Sequence, residues 1–159
     1  MRDKCFVAEH RGGPLKKEQQ RQLIRWACAC AEHVLPLFGK EIDERLKNAL
    51  VVAKEWEKGI ASVGDARNAS FDAIAVANES SGPTSIAVAR SVGHAVATAH
   101  MADHSLQAAL YALKAVKTAG KSIDTEREWQ NEQLPSEIME LVLTARHKKE
   151  NGLKILDSK

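Results

Sequence analysis

At 159 residues, with 44% hydrophobic and 28% charged side chains, the chain has the length and balance of one domain that can bury its own core. A formal charge of +2 argues against the strong basic field of a dedicated nucleic-acid binder. Cys5, Cys28 and Cys30 are an odd set with the last two only two positions apart, so free thiols in a reducing compartment fit better than a disulfide framework.

The N-terminus "MRDKCFVAEHRGG" lacks an apolar run, and no stretch approaches the roughly 20 apolar residues of a membrane span. The chain is therefore expected to stay in the cytoplasm, with no membrane partner and no nucleic-acid partner. Aromatics are only 4% and alanine is over-used, which points to helices because alanine has the best helix propensity. No alternating strand pattern is visible. The expectation is an all-α, single-domain bundle of six or seven helices, divided into an arm at 1–15, a helical body at 16–150 and a tail at 151–159.

In chain order, "RGGP" is the turn of the arm. From Lys16 to about Val34, Leu23, Ala27, Cys30, Ala31 and Val34 recur at steps of three and four and form one apolar helix face, which Pro36 ends or kinks. Asp43 is placed to cap a second helix, whose stripe of Leu46, Ala49, Leu50, Ala53 and Trp56 stops at Gly59. Asp65 is a natural N-cap for a third, which runs through Ala69, Ala73, Ile74 and Ala77 to the turn "ESSGPTS".

Residues 84–119 hold eleven alanines and one aromatic, Tyr111, so this stretch can be packed closely from several sides. It reads as two central helices, with a break near "MAD" where Asp103 caps the second. "SIDTEREWQNEQ" reads as a short solvated helix anchored by Ile123 and Trp129. Pro135 then fits the first turn of a last helix with a stripe of Ile138, Leu141, Val142 and Ala145. Its basic continuation "RHKKENGLKILDSK" loses periodicity and is expected to fray. "NALVVAKEWEKG" and "AALYALKAVKTAG" echo one another, but two copies fall short of a repeat array.

"GHAVATAHMADH" concentrates the chemistry. On one continuous helix Arg90, His94, His100 and His104 would fall within an arc of about 120°, with Asp103 outside it. Two imidazoles four residues apart can share a metal ion. Yet the H-E-x-x-H glutamate, a paired-cysteine spacing and a two-metal carboxylate motif are all missing. Cys28 and Cys30 point about 200° apart on a helix and cannot grip one ion together. Asp43 with Arg45 reads as a helix start, and neither a phosphate loop nor a G-x-S-x-G elbow occurs.

The residues leave three readings of Arg90, His94, His100, Asp103 and His104 open. They form a structural polar network, a partner-binding surface, or part of a metal-dependent hydrolase or nuclease. The first two need no cofactor and no metal.

The segments "LIRWACACAEHVLPLF", "DERLKNALVVAKEWEKG" and "ARSVGHAVATAHMADHSLQAALYALKAV" resemble the immunity protein five-like family of bacterial polymorphic toxin systems, over roughly residues 6–145. The resemblance implies a non-enzymatic antidote whose partner is a cognate protein toxin. Relatives often carry a cap-forming Thr or Ser where this chain has Lys16. Self-association through the alanine-rich face is a further reading that the residues leave open.

Overall fold

The computed structural model describes residues 3–152, with side chains through residue 148. Among the described residues there are seven α-helices and no strand: α1 Lys17–Val34, α2 Glu44–Glu57, α3 Val63–Glu79, α4 Pro83–Ala97, α5 His104–Thr118, α6 Ile123–Glu132 and α7 Ser136–Gly152. Short 3-10 turns at Lys4–Phe6, Glu9–Arg11 and Leu35–Phe38 complete the order. Fold class and helix number agree with expectation. The helical tail expected to fray stays in α7 through Gly152, and the rest of that expectation lies outside the described residues.

The helix boundaries follow local chemistry. Lys16 stands at the N-cap of α1 and carries no acceptor, so half of a capping box does the work, with the Lys16 amide donating to Gln19 Oε1 at 2.9 Å. Pro36 ends the helix, and the chain tightens into the 3-10 turn. Asp43 caps α2 by accepting from the Arg45 amide at 2.9 Å. The cap of α3 differs from expectation. Ser62 accepts from the Asp65 amide at 3.0 Å, while Asp65 reaches back to the Ser62 amide at 2.9 Å, so Asp65 is the third residue of a full capping box. Gly59 and Gly120 both adopt positive φ just past a helix end, so one C-terminal device accounts for the echo between α2 and α5.

The arm folds back onto the body. Ala8 bridges Leu15, and Phe6, Ala8 and Leu15 are buried. Gly13 permits this close return, since a Cβ there would lie 2.0 Å from the Val7 carbonyl oxygen.

α1 lies between two apolar clusters. Ile24, Ala27, Cys28 and Ala31 pack with Leu46, Ala53 and Trp56 of α2, Ala73 of α3 and Val92 of α4. Leu23, Trp26, Cys30 and Val34 pack with Phe6, Leu106, Ala109, Ile138 and Val142. α4 and α5 share the most extensive interface between any two elements. Alanines dominate that interface, and short hydroxyls cross from helix to helix: Ser91 Oγ donates to the Ala108 carbonyl at 2.7 Å, and Ser70 Oγ to the Gly93 carbonyl at 3.0 Å.

α6 departs from the anchoring expected of it. Ile123 and Trp129 are half-buried, and the buried residues of this helix are Glu126 and Gln130. Gln130 Nε2 donates to the Ala109 carbonyl, its own carbonyl accepts from Trp26 Nε1 at 2.8 Å, and its Oε1 accepts from the buried Arg146. A helix with few apolar residues is thus held by satisfied polar groups.

Ala97 and Ala109 are both buried, as expected from their stretch. Ala109→Leu is expected to overpack the seam between α1, α5 and α7 and to lower unfolding free energy by about 1–3 kcal/mol in urea titrations. An unchanged midpoint would show that this face has room.

Candidate functional site

The site is built where α4 stops. α4 ends at Ala97 and α5 begins at His104, so residues 98–103 form a corner at the break expected near "MAD". Thr98 Oγ1 donates to the His94 carbonyl at 3.1 Å and closes the end of α4. Gln20 of α1 then pins the corner from below, its Nε2 donating to the Thr98 and Ala99 carbonyls at 3.0 Å each. Asp103 occupies the N-cap position of α5 and makes no side-chain cap hydrogen bond there.

The corner gathers the imidazoles. His94 Nδ1 lies 2.8 Å from His104 Nδ1, with ring centroids 5.0 Å apart, and the His100 and His104 centroids are 5.3 Å apart. One of the two bonded nitrogens must donate and the other accept, so the contact survives with at most one of the pair charged. Tyr111 of α5 stacks on His94 at 5.4 Å with 6° between planes, and the Arg90 guanidinium lies 5.8 Å from the Tyr111 ring centre.

The order along the surface is therefore Arg90, Tyr111, His94, His104, His100. The three histidines and Tyr111 are half-buried, and Arg90 is exposed. The sequence pattern brought Arg90 and the histidines together without Tyr111, the ring that joins them. Because α4 breaks, Asp103 lies with His100 at a shared cavity. Among the described residues no group of three or more His, Cys, Asp or Glu side chains is arranged to hold a metal ion.

That cavity, of about 180 Å³, lies between the arm and the corner. Its apolar lining comes from Phe6, Val7, Ala8, Met101 and Ala102, and its polar lining from Asp3, Arg11, Gln20, His100 and Asp103. Asp3, Arg11 and Gln20 escaped the sequence reading. A signal existed for Gln20, which continues the stripe of α1 one step before Leu23.

A second polar cluster joins α1 to α6. His33 Nδ1 lies 2.6 Å from a carboxylate oxygen of the buried Glu126, and the His33 ring stacks on Trp129 at 3.5 Å. The carboxylate fixes the imidazole's orientation. Cys28 and Cys30 are buried, and burial pushes both thiols up, Cys28 to about 12. They are packing residues with little thiolate at neutral pH.

A protein-family model described as "Imm-5 like putative immunity protein" matches residues 13–137. No curated protein and no solved structure matches the chain. The matched stretch includes α1 through α6 and the whole corner.

Three outcomes are expected from these environments. His104→Ala removes one ring–ring hydrogen bond at a half-buried position and should lower stability by about 0.5–1.5 kcal/mol; no change in a urea midpoint would mean that the pair contributes nothing to the corner. In thiol titration of the native protein at pH 8, only the exposed Cys5 should react quickly, with Cys28 and Cys30 following on denaturation. The raised Cys28 value also sets a sign. The unfolded thiol ionises from about pH 8.5 while the folded one stays protonated to about 12, so stability should fall across that window. Cys28→Ala should make the fall shallower, and an unchanged slope would contradict the burial assigned to this thiol.

Proposed function

The chain belongs to the Imm-5 like putative immunity protein family, and from that premise we propose that it binds a cognate protein toxin and neutralises it without catalysis. The family match over 13–137 is the observation that carries this reading. In it, the toxin belongs to a bacterial polymorphic toxin system, and the antidote acts in the cytoplasm of the cell that makes both. No helix among the described residues is long and apolar enough to cross a membrane.

Arg90, His94, His100, Asp103 and His104 serve in this reading as a positioning network. The paired rings fix the ends of α4 and α5 relative to one another, and the half-buried edge of the ladder is available to a partner. The helical body at 16–150 acts as one unit with the arm at 1–15. Tyrosine and arginine are the residue types that most often anchor protein interfaces, and Tyr111 and Arg90 stand at the open end of this ladder.

The test is growth protection. Cells expressing a cognate toxin domain should survive when the chain is co-expressed, and the purified pair should form a stoichiometric complex. Protection should persist when the His94–His104 contact is broken, reduced only by the loss of folded protein. Full protection without complex formation, or turnover of a substrate lost with His104→Ala, would defeat the reading and favour catalysis.

A further inference from the structure

Helices α1–α6 carry six arginines, and four of them, Arg21, Arg25, Arg45 and Arg127, reach a carboxylate of the same chain. The other two are Arg67 of α3 and Arg90 of α4. Both are exposed, and among the described residues no carboxylate pairs with either. Phe71 lies four residues after Arg67, on the same face of α3. It is 62% exposed, the one aromatic among the large apolar side chains that the described surface leaves in solvent. A lone exposed apolar residue is ordinary, so what matters is the company Phe71 keeps.

Arg67, Phe71 and Ile74 recur at steps of four and three and form one stripe of α3. Ile74 carries that stripe onto α4, since its Cδ1 would lie 3.0 Å from a Cβ placed on Gly93. Gly93 stands between Arg90 and His94, which are four apart and share the outer face of α4. On the far side of α4, Tyr111 of α5 stacks on His94 and faces the Arg90 guanidinium. The three helices lie side by side with α4 in the middle. Their outer face therefore carries an aromatic ring on each flank and two guanidiniums between and beside them. Acids are kept off it. Asp72 sits about 160° around α3 from Ile74, and from residue 80 to 123 the only acid is Asp103, at the cavity beside the arm.

Resting on the toxin-binding reading, we propose that the outer face of α3, α4 and α5 is the surface that meets the toxin, and that it takes an acidic patch of that protein. Toxin carboxylates pair with Arg67 and Arg90, and apolar side chains of the toxin cover Phe71 and Tyr111. A guanidinium presents a planar fork of donors that matches a carboxylate in two parallel bonds. The ring contact with Tyr111 already holds the Arg90 head in place, which lowers the ordering cost of binding. Selectivity follows from the charge. A basic protein face would meet two like charges, and so would a second copy of this chain docked through the same surface.

The first test needs no toxin. Its probes are a carboxylate-bearing and an ammonium-bearing pyrrolidine nitroxide, each a single charge on a small apolar ring, added separately to the isotope-labelled full chain. Amides at Phe71 and Arg90 should relax about twofold faster or more with the carboxylate probe, and the R67Q/R90Q variant should erase that difference. Equal relaxation by the two probes, or a difference that survives the variant, would overturn the proposal. The second test is complex formation with the toxin domain used for growth protection. Phe71→Ala and R67E/R90E, their folds checked by circular dichroism, should each weaken the complex about tenfold or more. Val51→Ala, at an exposed position of α2, should leave it unchanged. Unchanged affinity in both Phe71→Ala and R67E/R90E defeats this inference alone; a wild-type chain that forms no complex defeats the toxin-binding reading, with the carboxylate preference of the face still judged by the nitroxides. A dimer of the chain lost with Phe71→Ala, or tighter binding to a duplex oligonucleotide than to the toxin domain, would give the face another occupant and overturn the proposal.

Discussion

The close approach of α4 and α5 is the constraint on which the other parts depend. Two helix backbones can come this near only where the side chains between them are small, and Ala87, Ala89, Ala95, Ala108, Ala109 and Ala112 are all buried in or beside the seam. Close approach has a second consequence. Short hydroxyls can reach the carbonyls of the neighbouring helix, as Ser91 of α4 reaches Ala108 of α5. Apolar packing and polar satisfaction therefore reinforce one another along the same axis. A larger side chain would lose both at once, because it separates the backbones that the short bonds span.

The end of this axis makes the site. α4 stops at Ala97, six residues turn the corner, and α5 returns beside it. The turn places His94 and His104, ten positions apart in sequence, in direct contact, and it opens Asp103 and His100 towards the arm. Gln20 holds the corner through two backbone carbonyls, so α1, which already separates the two apolar clusters, also sets the height of the corner. The arm closes the other side because Gly13 lets the chain return against Val7. Core, corner and cavity are thus successive consequences of one helix pair.

Much of the fold was legible because helical periodicity and punctuation are local. The stripe from Leu23 to Val34, the stop at Pro36, the Asp43 cap and the pairing of α4 with α5 follow from residues within a few positions of one another. The parts that escaped are non-local. Ser62 shares its capping box with Asp65, and the choice of which residue is the cap depends on where the preceding chain turns. Glu126 and Gln130 are buried in a helix whose pattern looked solvated, since their partners His33, Trp26 and Ala109 come from distant segments. Arg146, four positions after Val142, lies on the apolar stripe of α7, and its buried position depends on Gln130 and the Trp26 ring. In the site, the histidines stood out by composition. Tyr111, Asp3 and Arg11 did not, because only the broken corner and the folded arm bring them to it.

Native-state hydrogen exchange reads the dependence on the central pair most directly. Amides of α4 and α5 should exchange only through global unfolding, with the slowest rates in the chain and a denaturant dependence equal to that of complete unfolding. α6, held by a few polar anchors, should open earlier with little effect on them. If α4 and α5 instead exchanged through local openings while α2 and α3 kept full protection, the bundle would have a different axis and the corner would not derive its rigidity from the alanine seam.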